Sequence, residues 1–494
     1  MGIVKRQSVP SAIAAYAGVA LGFINFNYLL PRFATVEDVG LVKMLISAAV
    51  VFSQLGTLGI VYTTLRYFPY FNSRDKKHHG FLVILFTTGF AGLIIFSLAY
   101  FIFQEPIKSF YHAKAELFNE YILYVLPIGG LLLFSEILSG YSRSLYKTIV
   151  PTIIRELLVR ICNSIAILLY IFKYIDFKFF VMLIVGGYAV QVLTMLLYLR
   201  WRKQLFLGTF SGFLTRPFAR EMAGYTGFMF LTIISGIFIT NIDLIMLGAL
   251  SGLVSVGIYG VVVTISTIII IPSRTITQIV VPIFSEAWKN NDIRKIKNMY
   301  SQTAINNLLI GAFIFILIWV NLDSFFSFLP KSYAQGKWVF FILGLSRLLD
   351  LGTGNNGEII LTSKHFRFIL FTNLYLIAVT FLSYWWLIPR YDMLGAALAT
   401  GISILSYNTI RSVFLYYKYG MHPITADYLK GLMMATAILI FASFLPPLHN
   451  IFWNIVYKSV FVSGVFLALI VWIKPSPDID SSFNHIINIV RSKL

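Results

Sequence analysis

Apolar runs of about 20 residues, the length that spans a bilayer as a helix, recur from one end of this chain to the other. No gap between them is long enough to hold a soluble domain. The backbone of such a run has no water to bond to in hydrocarbon, so it must satisfy itself internally. Composition agrees: 58% of residues are hydrophobic and 12% charged, with a mean hydropathy of +0.81, whereas soluble domains carry about a quarter charged residues. The expected fold class is an all-α polytopic membrane protein. The first run, from Val9 to Leu30, follows Lys5 and Arg6 as a signal peptide would, but it is too long for one and reads as a retained span.

Spans are expected at 9–30, 39–66, 80–103, 119–141, 149–172, 180–200, 222–248, 254–284, 301–322, 337–360, 366–388, 394–417, 429–447 and 453–473, about fourteen in all, with ends uncertain by a few residues. With a cytoplasmic N-terminus, the outside loops hold only Arg32, Lys108, Lys114, Lys173, Lys178, Lys331, Lys337 and Arg390. Most of the other basic residues then face inward, as the positive-inside rule requires. The net charge of +19 is thereby a signature of topology rather than of nucleic-acid binding. The loop between Arg200 and Glu221 is strongly basic and contains Arg216-Pro217. It divides the chain into a six-helix bundle at 1–203, a linker at 204–220, a second six-helix bundle at 221–418, an appended pair at 428–473 and a cytoplasmic tail at 474–494. In the tail, Phe483, Ile486, Ile487 and Val490 recur at helical spacing near Arg491 and Lys493, which fits either a helix lying on the inner membrane face or a frayed end.

The two halves carry matching phrases. Asn25-Phe-Asn27 corresponds to Asn241-Ile-Asp243, and Val39-Gly40 to Val256-Gly257, at an offset of 216 or 217 residues. A near-constant offset over two helices points to internal duplication, a common plan in transporters.

Charges inside the spans narrow the function. An ionised side chain at mid-span costs about 2.5–3.5 kcal/mol on insertion scales, so several together imply a wet interior or paired partners. Lys43, Arg66, Arg411 and Lys458 lie near span ends, where long side chains snorkel to the interface. Glu156 and Arg160 have the favourable i, i+4 order of a helix ion pair, with Arg155 beside them. Arg274, Arg347 and Asp350 sit too deep for escape. Arg347 and Asp350 share a helix face, continued by Asn355, Asn356 and Glu358; the face reads either as a functional cavity or as a structural salt bridge. Asn25, Asn27, Glu136, Asn241 and Asp243 add polar groups on other spans, and Asp243, Asp350 and Glu136 are candidates for a coupling-ion site or for pairing with arginine. Pro127, Pro272 and Pro282 interrupt spans, freeing carbonyls that only protein or a water-filled cavity can satisfy.

Other chemistries find no support. Gly352-Thr-Gly354-Asn-Asn-Gly357 matches a dinucleotide fingerprint but lies inside an apolar span rather than between a strand and a helix. Those glycines, like Gly18 and Gly22, read as sites of close helix packing or hinging. No P-loop and no HExxH occurs, so neither a built-in ATPase nor a zincin is indicated. Cys162 is the single cysteine, which excludes an intrachain disulfide and a cysteine metal site. No cofactor and no metal site is expected.

The phrases Asn241-Ile-Asp243-Leu-Ile-Met-Leu-Gly248 and Val256-Gly257-Ile-Tyr259, with Glu37-Asp38-Val39-Gly40 as their first-half counterpart, resemble those of the multidrug/oligosaccharidyl-lipid/polysaccharide exporter superfamily. Within it the chain looks like the Wzx-like polysaccharide flippases. The resemblance implies two six-helix bundles around a central cavity plus two C-terminal helices, as in the MATE transporters and lipid II flippases, in the inner membrane of a bacterium. It implies an oligosaccharide on undecaprenyl diphosphate as substrate, turned from the cytoplasmic to the outer leaflet. Membrane lipids and the polysaccharide polymerase or export machinery are the implied partners. A diphosphate in hydrocarbon needs cationic donors, and the arginine fork pairs with phosphate oxygens bidentately. Arg274 and Arg347 are the first choices, Arg155 and Arg160 are helpers, and Asn25, Asn27, Asn241 and Asn355 suit sugar hydroxyls. The rival within the superfamily is a Na⁺- or H⁺-coupled multidrug or metabolite exporter. A membrane-embedded polymerase or glycosyltransferase ranks third, because no expected outside loop exceeds about 15 residues on a span reading of this accuracy.

Overall fold

The computed structural model describes residues 2–73, 77–112, 114–145, 147–208 and 214–473. The tail segment around Phe483–Val490 lies outside them. Among the described residues every regular element is helical, and 10 helical stretches are long and apolar enough to cross a membrane. The protein is an all-α, multi-pass membrane protein, as its apolar runs dictate.

The one stretch of 53 residues, Arg367–Tyr419, is a hairpin. Its direction reverses at Asp392 (φ 53, ψ −132), after which Gly395 packs on the Leu387 carbonyl and Tyr384 bonds Thr400 across the two legs at 2.8 Å. Several expected spans are helical but broken, among them three with polar groups at or near the break. The 149–172 span opens with Ile149–Ile153, widens into a π-helical turn at Ile154–Leu158 and continues as Val159–Ile171. The 222–248 span runs as Arg216–Thr240, halts at Asn241 and resumes as Ile242–Leu250. The 337–360 span runs as Gly336–Gly352 and resumes as Asn356–Thr362.

The chain divides into two compact units, Met1–Gly260 and Val261–Leu494. In the first unit, Val36–Gly56 packs with Phe81–Ile102 and Val125–Ser144. Gly56 and Gly92 let two backbones approach, since a Cβ on Gly92 would overlap the Gly56 carbonyl oxygen. Small residues are what permit such contact where lipid offers no hydrophobic drive between helices. The core around it is aromatic and aliphatic, with Phe71, Phe81, Leu85, Leu133 and Tyr141 nearly inaccessible. Gly59 (φ +87) breaks the second span and starts Ile60–Phe71. That helix lies against Arg216–Thr240, where Thr63 meets Thr226 at 2.9 Å and the Tyr67 hydroxyl donates to Glu221 at 2.9 Å.

The duplicated phrases meet in this unit. A Cβ on Gly40 would overlap the carbonyl oxygen of Leu253, and a Cβ on Gly257 would overlap that of Val36. Val36 and Leu253 are themselves separated by the repeat offset, so the contact is reciprocal about a local two-fold. The first copy's Asn25 lies in a π-helical turn, Ile24–Leu29, and the second copy's Asn241 interrupts its helix. Both copies therefore lose regular helix at the same place.

In the second unit the last helix, Ile451–Ile473, is tied to Ile293–Phe326 by polar contacts within the apolar layer. Asn454 donates to Ser324 at 2.8 Å, Asn321 to Ser459 at 3.0 Å, and Lys458 reaches the Val320 carbonyl at 3.4 Å.

Candidate functional site

Two helix breaks in the second unit open a polar cavity of about 490 Å³. The first is at Ile268–Ile270, a 3-10 turn ahead of Pro272, which begins the helix Ile271–Lys289. Ser273 donates to the Ile270 carbonyl at 2.9 Å, so part of the freed backbone is satisfied locally. The second is at 353–355. Gly354 takes φ +65, and the Thr353 hydroxyl bonds the Asp350 carbonyl at 2.8 Å. The glycine cluster that mimics a nucleotide motif is therefore a helix break, and it brings Asp350, Asn355, Asn356 and Glu358 to one wall.

The cavity combines both signs of charge. Arg274, exposed at its rim, has no hydrogen-bond or ion-pair partner among the described residues. Arg411 comes from the hairpin's second leg. Its Nε donates to Thr372 at 3.1 Å, its Nη2 to Asn373 at 2.9 Å, and its guanidinium lies 4.7 Å from the Tyr407 ring centroid. That leaves Nη1, beside Gly357, without a hydrogen-bond partner among the described residues. The Asp350 carboxylate accepts from the Tyr407 hydroxyl at 3.0 Å and from Asn408 at 2.7 Å, and Asn356 donates to Asn408 at 2.8 Å. This network holds the carboxylate in place with neutral donors and leaves the Arg274 guanidinium and Arg411 Nη1 available to a ligand.

The structure sorts the expected residues. Arg274, Asp350 and Asn355 line the cavity, whereas Arg347 does not, and its Nε is buried with no partner among the described residues. No ion pair joins Arg347 to Asp350 among the described residues. Arg411, expected to snorkel, is instead held in the cavity wall by the opposite leg of its own hairpin. Sequence distance to a span end misled here, because the hairpin folds Thr372 and Asn373 onto Arg411. Asn307, Tyr407 and Asn408 also line the cavity. Their signal was present as amides and a hydroxyl within apolar runs.

The remaining expected residues lie in the first unit and form a separate network. Arg155 reaches Glu136 at 3.4 Å and Glu156 at 3.0 Å, and Arg160 reaches Glu156 at 3.8 Å. The i, i+4 pair expected from sequence is thus present within a longer chain of charges. Asn25 donates to the Arg160 carbonyl at 2.9 Å, Ser164 donates to Asn25 at 3.0 Å, and Lys43 donates to Asn27 at 3.0 Å. Gly18 and Gly22 serve as expected for close packing: a Cβ on Gly18 would come within 2.6 Å of the Glu156 carbonyl oxygen, and one on Gly22 would overlap the Arg160 guanidinium. Glu136 also borders a second cavity of about 390 Å³, together with Gln54, Thr57 and Arg143. Asp243 is buried and accepts from the Leu244 amide at 2.8 Å.

Comparison with known proteins places this architecture. The sequence profile of the polysaccharide biosynthesis protein family matches residues 6–288, more than half of the chain. The chain belongs to that family. This polysaccharide biosynthesis protein shares its fold with a lipid II flippase, MurJ, in an inward closed conformation: TM-score 0.70, 15% identity, 94% of this chain and 98% of that one covered. It is similar also to a multidrug resistance MATE family transporter of the MOP superfamily in an inward-facing conformation, at TM-score 0.63 and 12% identity over 87% of this chain and 99% of that one. A MOP superfamily transporter from Pyrococcus furiosus, described as having a binding pocket of reversed polarity, aligns at TM-score 0.52 and 15% identity, covering 88% of this chain and 96% of that one. Identities this low speak for the fold alone. Among proteins of curated function none matches the chain.

Proposed function

We propose that the protein turns a polyprenyl-diphosphate-linked oligosaccharide from the cytoplasmic to the outer leaflet of a bacterial inner membrane by alternating access, and that it acts as a transporter rather than an enzyme. In this reading about fourteen spans form two repeated halves, 1–203 and 221–418, joined by the basic segment 204–220 and followed by the pair at 428–473. Both termini are cytoplasmic. The observation that carries the reading is the presence, in one cavity, of the Arg274 guanidinium and the open Nη1 of Arg411 beside a wall of amides and hydroxyls. Arg274 and Arg411 neutralise phosphate, and the amides meet sugar. Arg347 stands behind them on the Asp350 helix, and the Arg155–Arg160 network serves the first unit. Family membership supports a role in polysaccharide assembly.

The test is leaflet movement in proteoliposomes, scored by access of an external glycosidase to a polyprenyl-diphosphate oligosaccharide. Wild-type protein exposes the glycan, Arg274→Ala abolishes exposure, and Arg274→Lys restores it only in part, because a point charge does not reproduce the fork. Full exposure with Arg274→Ala would refute the assignment. The carboxylates Asp350 and Glu358 in the same cavity favour one second reading, a cation-coupled exporter. It predicts that a Na⁺ or H⁺ gradient drives transport of a cationic dye while the glycan stays put.

A further inference from the structure

The cavity of the second unit has a neutral part that phosphate binding leaves unexplained. Asn307, from helix Ile293–Phe326, and Asn355, from the break after Gly352, both line it. The residues are 3% and 4% exposed, and one polar atom of each, Asn307 Oδ1 and Asn355 Nδ2, has no hydrogen-bond partner among the described residues. Asn355 is held from its other side, where Thr277 donates to its Oδ1 at 3.4 Å. Unpartnered buried polar atoms destabilise a fold, and native structures keep them for a reason. Packing is not that reason, since leucine fills the same volume without the penalty.

The two atoms are complementary in chemistry: one is an acceptor and the other a donor. The terminal amide torsion of each is soft, so either residue, lining the cavity as it does, can adjust its amide to a ligand. A cation or a phosphate would use only one of them. A neutral group that both donates and accepts uses both.

We infer that Asn307 and Asn355 form a sugar-reading subsite, which takes a vicinal hydroxyl pair or an acetamido group of the sugar next to the diphosphate. The inference rests on the flippase reading and adds to it a division of labour: the arginines bind the carrier's charge and the two asparagines select what it carries. Sites built to hydrogen-bond a hydroxyl or amide discriminate strongly against ligands that lack it, because their own groups are then left unpaired.

Binding of two probes to the full-length protein in nanodiscs tests the inference. One is undecaprenyl diphosphate bearing a single N-acetylhexosamine, and the other is the same carrier diphosphate without sugar. Wild type binds the glycosylated probe more tightly. Asn307→Leu and Asn355→Leu each weaken that binding about tenfold, the scale of one lost hydrogen bond. They leave the sugar-free affinity unchanged, and they do not lower the melting temperature of the ligand-free protein. Asn355→Ala gives the same selective loss should leucine fit poorly. Equal loss on both probes with a lower melting temperature would assign the residues to folding and overturn the subsite, as would variants indifferent to the sugar or a wild type that does not distinguish the probes. A wild type that binds neither probe would instead remove the flippase reading itself. Binding of both probes that is lost in Arg274→Ala, while the asparagine variants bind the glycosylated probe as tightly as wild type, would keep that reading and discard the subsite.

Discussion

Replacing either repeat glycine by alanine probes the reciprocal contact in the first unit. A methyl on Gly40 overlaps the Leu253 carbonyl oxygen and comes within 2.8 Å of its carbon and 3.0 Å of the Gly257 nitrogen. A methyl on Gly257 overlaps the Val36 carbonyl oxygen and comes within 3.0 Å of the Val36 Cγ1 and 3.3 Å of the Gly40 nitrogen. These neighbours are mostly backbone atoms that cannot swing aside, so the two helices must separate. Overpacking of this kind costs about 1–3 kcal/mol, and weakening the close Cα–H···O contacts adds about 0.5–1 kcal/mol. Each single substitution should therefore cost about 2–3 kcal/mol. The double substitution should cost clearly less than the sum, because one separation relieves both clashes, giving a coupling of roughly 1–2 kcal/mol between sites that share an interface. Reversible unfolding in mixed detergent micelles measures all three variants. Additivity within about 0.5 kcal/mol, or singles indistinguishable from wild type, would refute the two-fold contact.

Other expectations follow from single contacts. Glu156→Gln, which removes the charge shared by Arg155 and Arg160, should lower stability by about 1.5–3 kcal/mol, the worth of charged hydrogen bonds; an unchanged unfolding midpoint would show the network to be incidental. Asn454→Leu should cost about 1–2 kcal/mol at most, the range for hydrogen bonds between membrane helices, and should loosen the last helix enough to raise its protease sensitivity. Gly59→Ala should cost more than about 1 kcal/mol, since its φ of +87 disfavours a side chain and a Cβ would come within 2.5 Å of the Thr226 carbonyl oxygen; a neutral result would mean that the break shifts easily. In the leaflet assay, Arg411→Ala should depress transport more than Arg347→Ala, and the reverse order would move the cationic site to Arg347.

What the sequence revealed and concealed follows from the range of each signal. Apolar runs reported the helices because hydrocarbon imposes their length, and the repeat phrases marked the glycines that meet because close backbone approach demands them. The ion pair Glu156–Arg160 was legible from spacing along one helix. Arg347 and Arg411 were not sorted correctly, because helical spacing says which residues share a face but not what that face meets. The reversal at Asp392 was legible as the gap between the expected spans 366–388 and 394–417, but that gap did not say that Thr372 and Asn373 would lie on Arg411. Asn307, next to Asn306 at the start of an apolar run, had a meaning that depended on a break in a different helix.

The Asp392 reversal also bears on how the protein enters the membrane. Its two legs are joined by a corner with no slack, and Arg390 is clasped there by the Trp386 carbonyl at 3.0 Å, with its guanidinium 4.4 Å from the Trp386 ring centroid. Neither leg has a tether with which to sample another orientation, so the pair must be delivered together, tip first. In the orientation proposed above, the tip would carry Arg390 and Asp392 through the hydrocarbon at the same moment, their opposite charges easing a passage that either would resist alone. Once on the far side, the same two residues act as a barb that holds the hairpin against retraction.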